Sequence, residues 1–309
     1  MDINEFSELE YRNHVTNPFS VFDSVEFTSL NQHKADDIKH LVFNDGKNRF
    51  GLIAGIKNNA LLIPFSAPYS CLSPISKDNK IKYYNEASEA LVRYAKKLKL
   101  NLIRITLPPL FYDENHITKL FNSFYISGFS IKGCDLNFHY NLDRFDDNYE
   151  MNIDPKARQK LRSAHKNELT FEKTTDLDTV YKIIEENRSN KKYPLWMTKE
   201  EILKTIQIIK SDLFLVHDSS NTPIASAMIY HMRNDRVQVI YWGNRPNTEH
   251  LKPMNFLSFK TFEYYKSNNV RLIDIGPSTE FSIPNFGLCD FKQSIGCNTS
   301  SKITLELLI

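Results

Sequence analysis

The hydrophobic positions of the chain repeat at two different periods, and the two periods alternate along the sequence. Some segments carry apolar side chains at steps of three and four, which predicts helices that bury one face. Short continuous or alternating apolar runs between them predict strands. In the first half this pattern predicts a hairpin, a helix, a strand, a second helix and a closing strand, over residues 49–65, 84–99, 102–105, 115–127 and 131–140.

The same order of elements returns about 170 residues later. The strand Leu-Ile-Arg-Ile at 102–105 matches Leu-Ile-Asp-Ile at 272–275, and helices are predicted on both sides of each strand. The remaining elements of the second half are predicted at 213–217, 224–231, 237–242, 254–269, 284–295 and 302–308. An internal repeat of this length indicates duplication of one structural unit. We therefore predict an α+β, mixed α/β fold in which each half has a mixed central sheet flanked by helices.

The two halves are separated by an acidic segment, residues 143–147, which reads as an exposed linker. Asp154 and Pro155 then supply a cap and a first-turn proline for a helix that reaches about residue 166. Two further helices are predicted at 177–187 and 198–210. We predict an N-terminal domain at 1–147 and a C-terminal domain at 148–309, a division that suits a chain of 309 residues.

Composition narrows the class of protein without defining it. Hydrophobic residues make up 41% and charged residues 25% of the chain, and no apolar run reaches the length of a membrane span. The polar, acidic start has no signal-peptide pattern, so we expect a cytoplasmic location. The four cysteines are scattered, with no metal-ligand spacing, and we expect no bound metal. A net charge of +2 implies no general affinity for nucleic acid, and we expect no DNA partner.

Three segments carry a resemblance to a known family. They are PKARQKLRSAHKNELTFE in the linking helix, PIASAMIYHMRNDRVQVIYWGN in a strand pair, and VRLIDIGPST leading into PNFGLCDFKQSIGC. Together with the duplicated order of elements, they resemble the tandem GNAT (acyl-CoA N-acyltransferase) fold of the FemAB-like aminoacyl and acyl transferases. The resemblance is stronger in residues 150–309 than before them.

The resemblance implies transfer of an acyl or aminoacyl group to an amine, on a cell-wall or surface-glycan precursor of the cell envelope. It also implies that strands 237–242 and 271–275 splay and that the donor lies in the gap. The donor is then acyl-CoA or aminoacyl-tRNA, which makes tRNA a candidate partner. Residues 243–252 lack the glycine-rich turn typical of coenzyme A users, so the choice of donor stays open. The alternative function is a non-catalytic module of the same fold that binds a nucleotide-sugar, a glycan precursor or tRNA.

Three residues are candidates for catalysis of amine acyl transfer. Asp274 alternates with the two isoleucines of its strand, so its side chain faces a different environment and is placed to orient or deprotonate an amine. Glu280, in the loop after the strand, is the second candidate for the base. Lys292 lies beside the apolar ridge of its helix, from which its ammonium group can reach an oxyanion or a phosphate. The alternative for each residue is a purely structural role.

The remaining candidates are binding residues. Arg158, Arg162 and Lys166 repeat at steps of four and form one basic stripe suited to a diphosphate or an RNA backbone, although a solvated helix face has the same pattern. Further candidates around the proposed donor gap are Tyr230, Tyr241, Trp242, Asn255 and Ser278. The first half carries Arg104 where the second carries Asp274. We therefore expect the N-terminal domain to bind substrate or act as a scaffold, and the substrate site to lie in the second domain and at its junction with the first.

Overall fold

The computed structural model describes all 309 residues, which form ten α-helices and fifteen β-strands. In chain order the first elements are β1 Asp2–Phe6, α1 Glu8–His14, α2 Val25–Leu30, β2 Asp37–Asn44, β3 Asn48–Lys57, β4 Ala60–Ile63, β5 Ser73–Pro74, α3 Ile81–Lys97, β6 Leu102–Thr106, α4 Glu114–Ile126 and β7 Ser130–Asn141. They are followed by α5 Tyr149–Asn152, α6 Pro155–Lys166, β8 Thr170–Thr174, α7 Leu177–Lys191, α8 Lys199–Ile206, β9 Ser211–His217, β10 Pro223–Arg233, β11 Arg236–Asn244, α9 Pro253–Ser267, β12 Leu272–Pro277, β13 Thr279–Glu280, β14 Ile283–Pro284, α10 Phe286–Ser294 and β15 Asn298–Leu308.

The first of two compact units comprises Met1–Leu136, Thr279–Ile283 and Ser300–Ile309. Its strands follow the order β1-β2-β3-β4-β6-β15, antiparallel except for the parallel pair β4 and β6. Helices α3 and α4 are joined where the Ser88 hydroxyl donates to the Ser123 carbonyl at 3.0 Å. The predicted hairpin turns at Asn58 and Asn59, both with positive φ, as a two-residue turn between twisted strands requires.

The second compact unit comprises Asn137–Ser278 and Pro284–Thr299. Its strands follow the order β7-β12-β11-β10-β9-β8, in which only β11 and β12 are parallel. Helix α9 covers one face of the sheet, where the rings of Phe262 and Tyr140 stack 4.4 Å apart. Helix α7 packs against β10, where the Ser226 hydroxyl donates to the Val180 carbonyl. Each face of this sheet is therefore covered, and strands β9, β10 and β12 are buried along almost their whole length.

The structure confirms the mixed α/β fold and the duplicated order of elements. The two matching tetrapeptides begin β6 and β12, and the flanking helices α3, α4, α9 and α10 lie where the periodicity predicts them, with ends shifted by a few residues. Helix α10 begins at Phe286 because the side chain of Asn285 caps it by accepting from the Leu288 amide.

The closing strands pair in an order that the repeat does not predict. Residues Asn137–Asn141 of β7 pair with β12 in the second unit, and Thr304–Leu308 of β15 pair with β6 in the first. Compactness alone does not test whether 1–147 and 148–309 fold as separate domains, and that division stays a prediction. None of the ten helices combines the length and the apolar character needed to cross a bilayer.

Candidate functional site

Strands β11 and β12 of the second unit separate after three paired positions. The pairing covers Arg236 with Leu272, Val237 with Ile273, and Gln238 with Asp274, and then stops, although β11 continues to Asn244. A register shift opposite β10 leaves Ile240 as an extra residue in β11 just beyond the last pair. Such a bulge bends its strand and ends regular pairing. The pairing of the two parallel strands therefore ends at Gln238 and Asp274, as a splay of the strands requires.

Asp274 lies at the point where the strands separate, and its side chain is completely buried. One carboxylate oxygen accepts hydrogen bonds from the Asn137 amide at 2.6 Å and from the Gly276 backbone N–H at 2.8 Å. Buried carboxylates need such donors, because an unpaired one costs several kcal/mol. The carboxylate thus fixes the turn with which β12 ends.

Lys292 reaches the same turn from α10. Its ammonium donates to the carbonyls of Gly276 and Pro277 at 2.8 and 2.9 Å, and it lies 5.3 Å from the centre of the Phe138 ring. Burial lowers the pKa of Lys292 to about 8, against smaller opposing effects of Cys297 and Asp274. Two of the three N–H donors of the ammonium are used, which leaves one for a ligand. The structure therefore brings the two predicted residues, Asp274 and Lys292, to one turn.

Asp274 belongs to a row of polar side chains in which Tyr230 was also predicted, whereas Gln238 and His139 were not. Strand register places Tyr230, Gln238, Asp274 and His139 side by side on the sheet face opposite α9. The Gln238 side-chain oxygen is buried without a hydrogen-bond partner. Burial lowers the pKa of His139 to about 4, so this imidazole is neutral at physiological pH. Only the strand register connects these residues, and the spacing in the sequence carries no signal for it.

Arg188 on α7 is the second feature that the sequence reasoning missed. Its guanidinium lies 5.2 Å from the ring centre of Tyr241 and 5.9 Å from that of Tyr193, with no carboxylate within ion-pair distance. Burial lowers the pKa of Arg188, but a guanidinium stays charged in proteins. A half-buried cation without an acid beside it is suited to an anionic ligand. The signal in the sequence was weak, since one arginine on an amphipathic helix usually lies at the surface.

Three further predicted residues lie around the end of β12 and the end of β11. Ser278 is buried, and its hydroxyl has no hydrogen-bond partner. Trp242 is half-buried and contacts Phe291, the neighbour of Lys292, edge to face at 6.1 Å. Tyr241 is buried beneath Arg188. The buried Ser278 hydroxyl, next in sequence to a carbonyl that Lys292 binds, is therefore a candidate to contact a polar ligand.

The other predicted residues lie elsewhere. Glu280 is exposed in β13 and makes no hydrogen bond or ion pair, so its role as a base stays a prediction. Asn255 is buried in the first turn of α9, a helix whose N-terminus has no side-chain cap. The first-turn amides of α9 therefore remain available to an anion, as a donor phosphate would require.

The basic stripe on α6 lines a shallow groove of about 520 Å³. The structure shows that part of its charge is already engaged, because Arg162 pairs with Glu150 at 2.9 Å. Arg158 donates to the Met151 carbonyl, whereas Lys166 has no ion-pair partner. The stripe is thus a weaker anion site than three free cations would be, and its binding role stays a prediction. No group of three or more His, Cys, Asp or Glu side chains is placed to hold a metal ion.

Comparison with solved structures supports the fold. The chain superposes on FemX with a TM-score of 0.72 and 12% identity, covering 100% of this chain and 98% of that chain. It superposes on the C-terminal domain of a proposed lysylphosphatidylglycerol synthetase from Agrobacterium fabrum with a TM-score of 0.61 and 11% identity, over 97% and 92% of the chains. A tandem GNAT protein from the clavulanic acid biosynthesis pathway gives 0.53 and 10%, over 99% and 98%.

The sequence matches no protein-family model and is not significantly similar to any curated protein. The structural likeness extends over whole chains, so the expected tandem GNAT-like, FemAB-like fold is confirmed. At identities this low, the likeness establishes the fold alone.

Proposed function

We propose that the protein transfers an acyl or aminoacyl group to an amine acceptor. The observation that carries this proposal is the buried Asp274 and Lys292 pair at the point where β11 and β12 separate. Buried charged groups with displaced pKa values are concentrated at functional sites. The fold shared with FemX and a tandem GNAT protein supports the same class of reaction.

The reaction needs little covalent help from the protein. The amine nitrogen attacks the carbonyl carbon of the donor, the carbon–sulfur or carbon–oxygen bond to the leaving group breaks, and the proton lost by the amine goes to that leaving group. The free N–H of Lys292 would stabilise the oxyanion formed at the carbonyl. Asp274 would act as a positioning residue, because it holds the turn to which Lys292 is bonded.

The donor would lie in the gap between the strands. Arg188 and the uncapped start of α9 are the two groups that suit its phosphates. Both acyl-CoA and aminoacyl-tRNA carry such phosphates. An amine on a cell-envelope precursor is the acceptor class that the FemAB-like fold favours, and a cytoplasmic location would give access to either donor.

The test offers the protein a panel of acyl-CoA thioesters and charged tRNAs with amine acceptors, and follows the product by mass spectrometry. We expect one donor class to be consumed. Lys292→Met should lower the transfer rate by about 100-fold or more, whereas Lys119→Met, on the corresponding helix α4, should leave it unchanged. If no donor is consumed and none binds, the transferase proposal is wrong. Binding of a donor or precursor without transfer would favour the non-catalytic alternative.

A further inference from the structure

A buried hydrogen-bond acceptor of the second unit has no donor. Gln238, at the last position where β11 pairs with β12, is 4% exposed, and its side-chain oxygen has no hydrogen-bond partner within the protein. Burial of an acceptor without a donor destabilises a fold, so folded proteins seldom contain one without a reason. The orphaned oxygen therefore points to a donor that a ligand supplies.

The strand register places Gln238 on the face of the sheet that α7 covers. Gln238 lies opposite Tyr230 of β10, and Ser226, on the same face of β10, donates to the Val180 carbonyl of α7. On its other side Gln238 lies opposite Asp274, the last residue of β12 that pairs with β11. Neighbouring strands lie about 4.8 Å apart, so the glutamine and the buried carboxylate are neighbours.

The bulge in β11 brings Tyr241 to the same face. Tyr241 lies opposite Met228, which is on the face of β10 that α7 covers. Without the extra residue of the bulge, Gln238 and Tyr241 would lie on opposite faces of β11. The Arg188 guanidinium lies 5.2 Å from the centre of the Tyr241 ring. Gln238 thus shares one face of the sheet with Asp274 and with the ring that Arg188 contacts.

The side chains of the candidate site differ in the ligand atoms that they can bind. The Lys292 ammonium and the Arg188 guanidinium only donate hydrogen bonds. The side-chain oxygen of Gln238 only accepts them and, because a glutamine does not titrate, it cannot take up a proton from the substrate. This oxygen is therefore suited to an N–H group that stays on the ligand throughout the reaction.

We propose that Gln238 binds the amino group of the acceptor and selects a primary amine, an inference that rests on the proposed transfer reaction. A primary amine has two N–H groups. One donates to Gln238, and the other loses its proton to the leaving group as the amine lone pair forms the carbon–nitrogen bond and the bond to the leaving group breaks. The product amide keeps the N–H that Gln238 holds. An alcohol or a secondary amine has a single proton at the attacking atom, and this proton must leave, so the hydrogen bond to Gln238 is lost.

The test compares the wild type with Gln238→Met, which keeps the approximate size of the side chain and removes the acceptor, and with Gln238→Leu. For the amine that reacts, we expect its KM to rise about 10-fold or more in both variants, and the donor KM to change less than about twofold. The temperature of unfolding should stay the same or rise, because an unpaired acceptor is removed. In the wild type, the N-methyl form of the amine should react at least about 10-fold more slowly.

Thr261→Val is the matched control, because the Thr261 hydroxyl is also buried without a partner but lies on α9, at the other face of the sheet. This variant should keep both KM values. An unchanged amine KM in the two Gln238 variants, or equal rates for the amine and its N-methyl form, would overturn the inference. Lower unfolding temperatures for both Gln238 variants would also overturn it, since the oxygen would then be bonded within the protein.

Calorimetric titration with glycinamide, lysinamide and glucosamine, without any donor, separates this inference from the proposed function. We expect the wild type to bind at least one of these primary amines, and Gln238→Met to bind it about 10-fold more weakly. Such a difference in a protein that consumes no donor would contradict the proposed function and support the role of Gln238. If the wild type binds none of the three, or the variant binds equally well, the inference is wrong.

Discussion

Strands β6 and β12 begin with the same apolar pattern but place their one charged residue in opposite environments. Arg104 of β6 is 48% exposed and forms a surface ion pair with Glu306 of β15 at 2.6 Å. Asp274 of β12 is fully buried and bonded to an amide side chain and a backbone N–H. An exposed pair of this kind contributes about 1 kcal/mol at most to the stability of the fold. A buried carboxylate destabilises the fold when it loses any one of its hydrogen-bond partners.

The strands beside β6 and β12, and the helices that follow them, also differ between the two copies. Strand β4 pairs with β6 along its whole length, whereas β11 leaves β12 after three positions. On the helices that follow, the offset of 170 residues places exposed Asn122 opposite buried Lys292. The first copy therefore has a closed sheet and a solvated face where the second has a gap with two buried charged groups. This contrast is the physical reason for assigning the proposed chemistry to the second copy.

Asp274→Ala should cause the largest loss of stability, and it tests the contrast between the two copies. The substitution removes the short hydrogen bond of the Asn137 side-chain amide, leaves the Gly276 N–H without its acceptor and removes the negative charge near Lys292. We expect the free energy of unfolding in urea to fall by about 3–5 kcal/mol. Glu306→Ala, the partner of Arg104, is the control and should cost less than about 1 kcal/mol. Similar losses of stability in the two variants would contradict the proposed contrast between the two copies.

A smaller loss of stability is expected from a substitution at the place where α7 packs against the end of β11. A methyl group on Gly243 would lie 2.6 Å from Cγ of Asn187, whose amide donates to the Asn244 carbonyl. Gly243→Ala should therefore lower the free energy of unfolding by about 1–3 kcal/mol. At Gly287 the nearest atom is 3.6 Å away, and Gly287→Ala should be neutral or slightly stabilising. If Gly243→Ala is also neutral, Asn187 does not hold the end of β11.

The pH dependence of stability tests the burial of Lys292. Its pKa is lowered to about 8 from the ordinary lysine value of 10.5, so between these values the unfolded chain binds more protons than the folded one. Stability should therefore rise with pH across this window, and the burial penalty is largest below pH 8. Relative to Lys292→Met, the wild type should gain about 1.5 kcal/mol between about pH 8 and 9.5. Parallel unfolding curves for the two proteins over this window would show that the lysine titrates normally.

The smallest effect is expected from Arg104→Gln. The side chain is half exposed, and its ion pair with Glu306 lies on the surface. We expect a change of less than about 1 kcal/mol in the free energy of unfolding, and no change in the transfer rate. A large loss of transfer in this variant would show that the first copy takes part in the chemistry.

The sequence predicts the elements of this fold better than their assembly. Periodicity and the 170-residue repeat locate β6, β12 and their flanking helices, because burial of one face imposes the spacing. The pairing of β7 with β12 and of β15 with β6 depends on contacts between residues far apart in the chain, which leave no local pattern.

The same distinction applies to the candidate site. Asp274 and Lys292 stood out because a charged residue interrupted an apolar run or adjoined an apolar ridge. Gln238 and Arg188 did not, since a polar residue in a strand and an arginine on a helix are both common at surfaces. Their burial becomes visible only once the strand register and the position of α7 are known.

The place of β15 in the first unit has a consequence for synthesis of the chain on the ribosome. Residues Met1–Leu136 emerge early, but β6, which pairs with β4 on one side, gains its second partner β15 only when Ser300–Ile309 have been made. Until then one edge of β6 offers unpaired backbone groups, which can recruit foreign strands. The nascent first unit should therefore be an intermediate that relies on chaperones, and a nascent chain arrested before residue 300 should be more sensitive to protease there than the released protein.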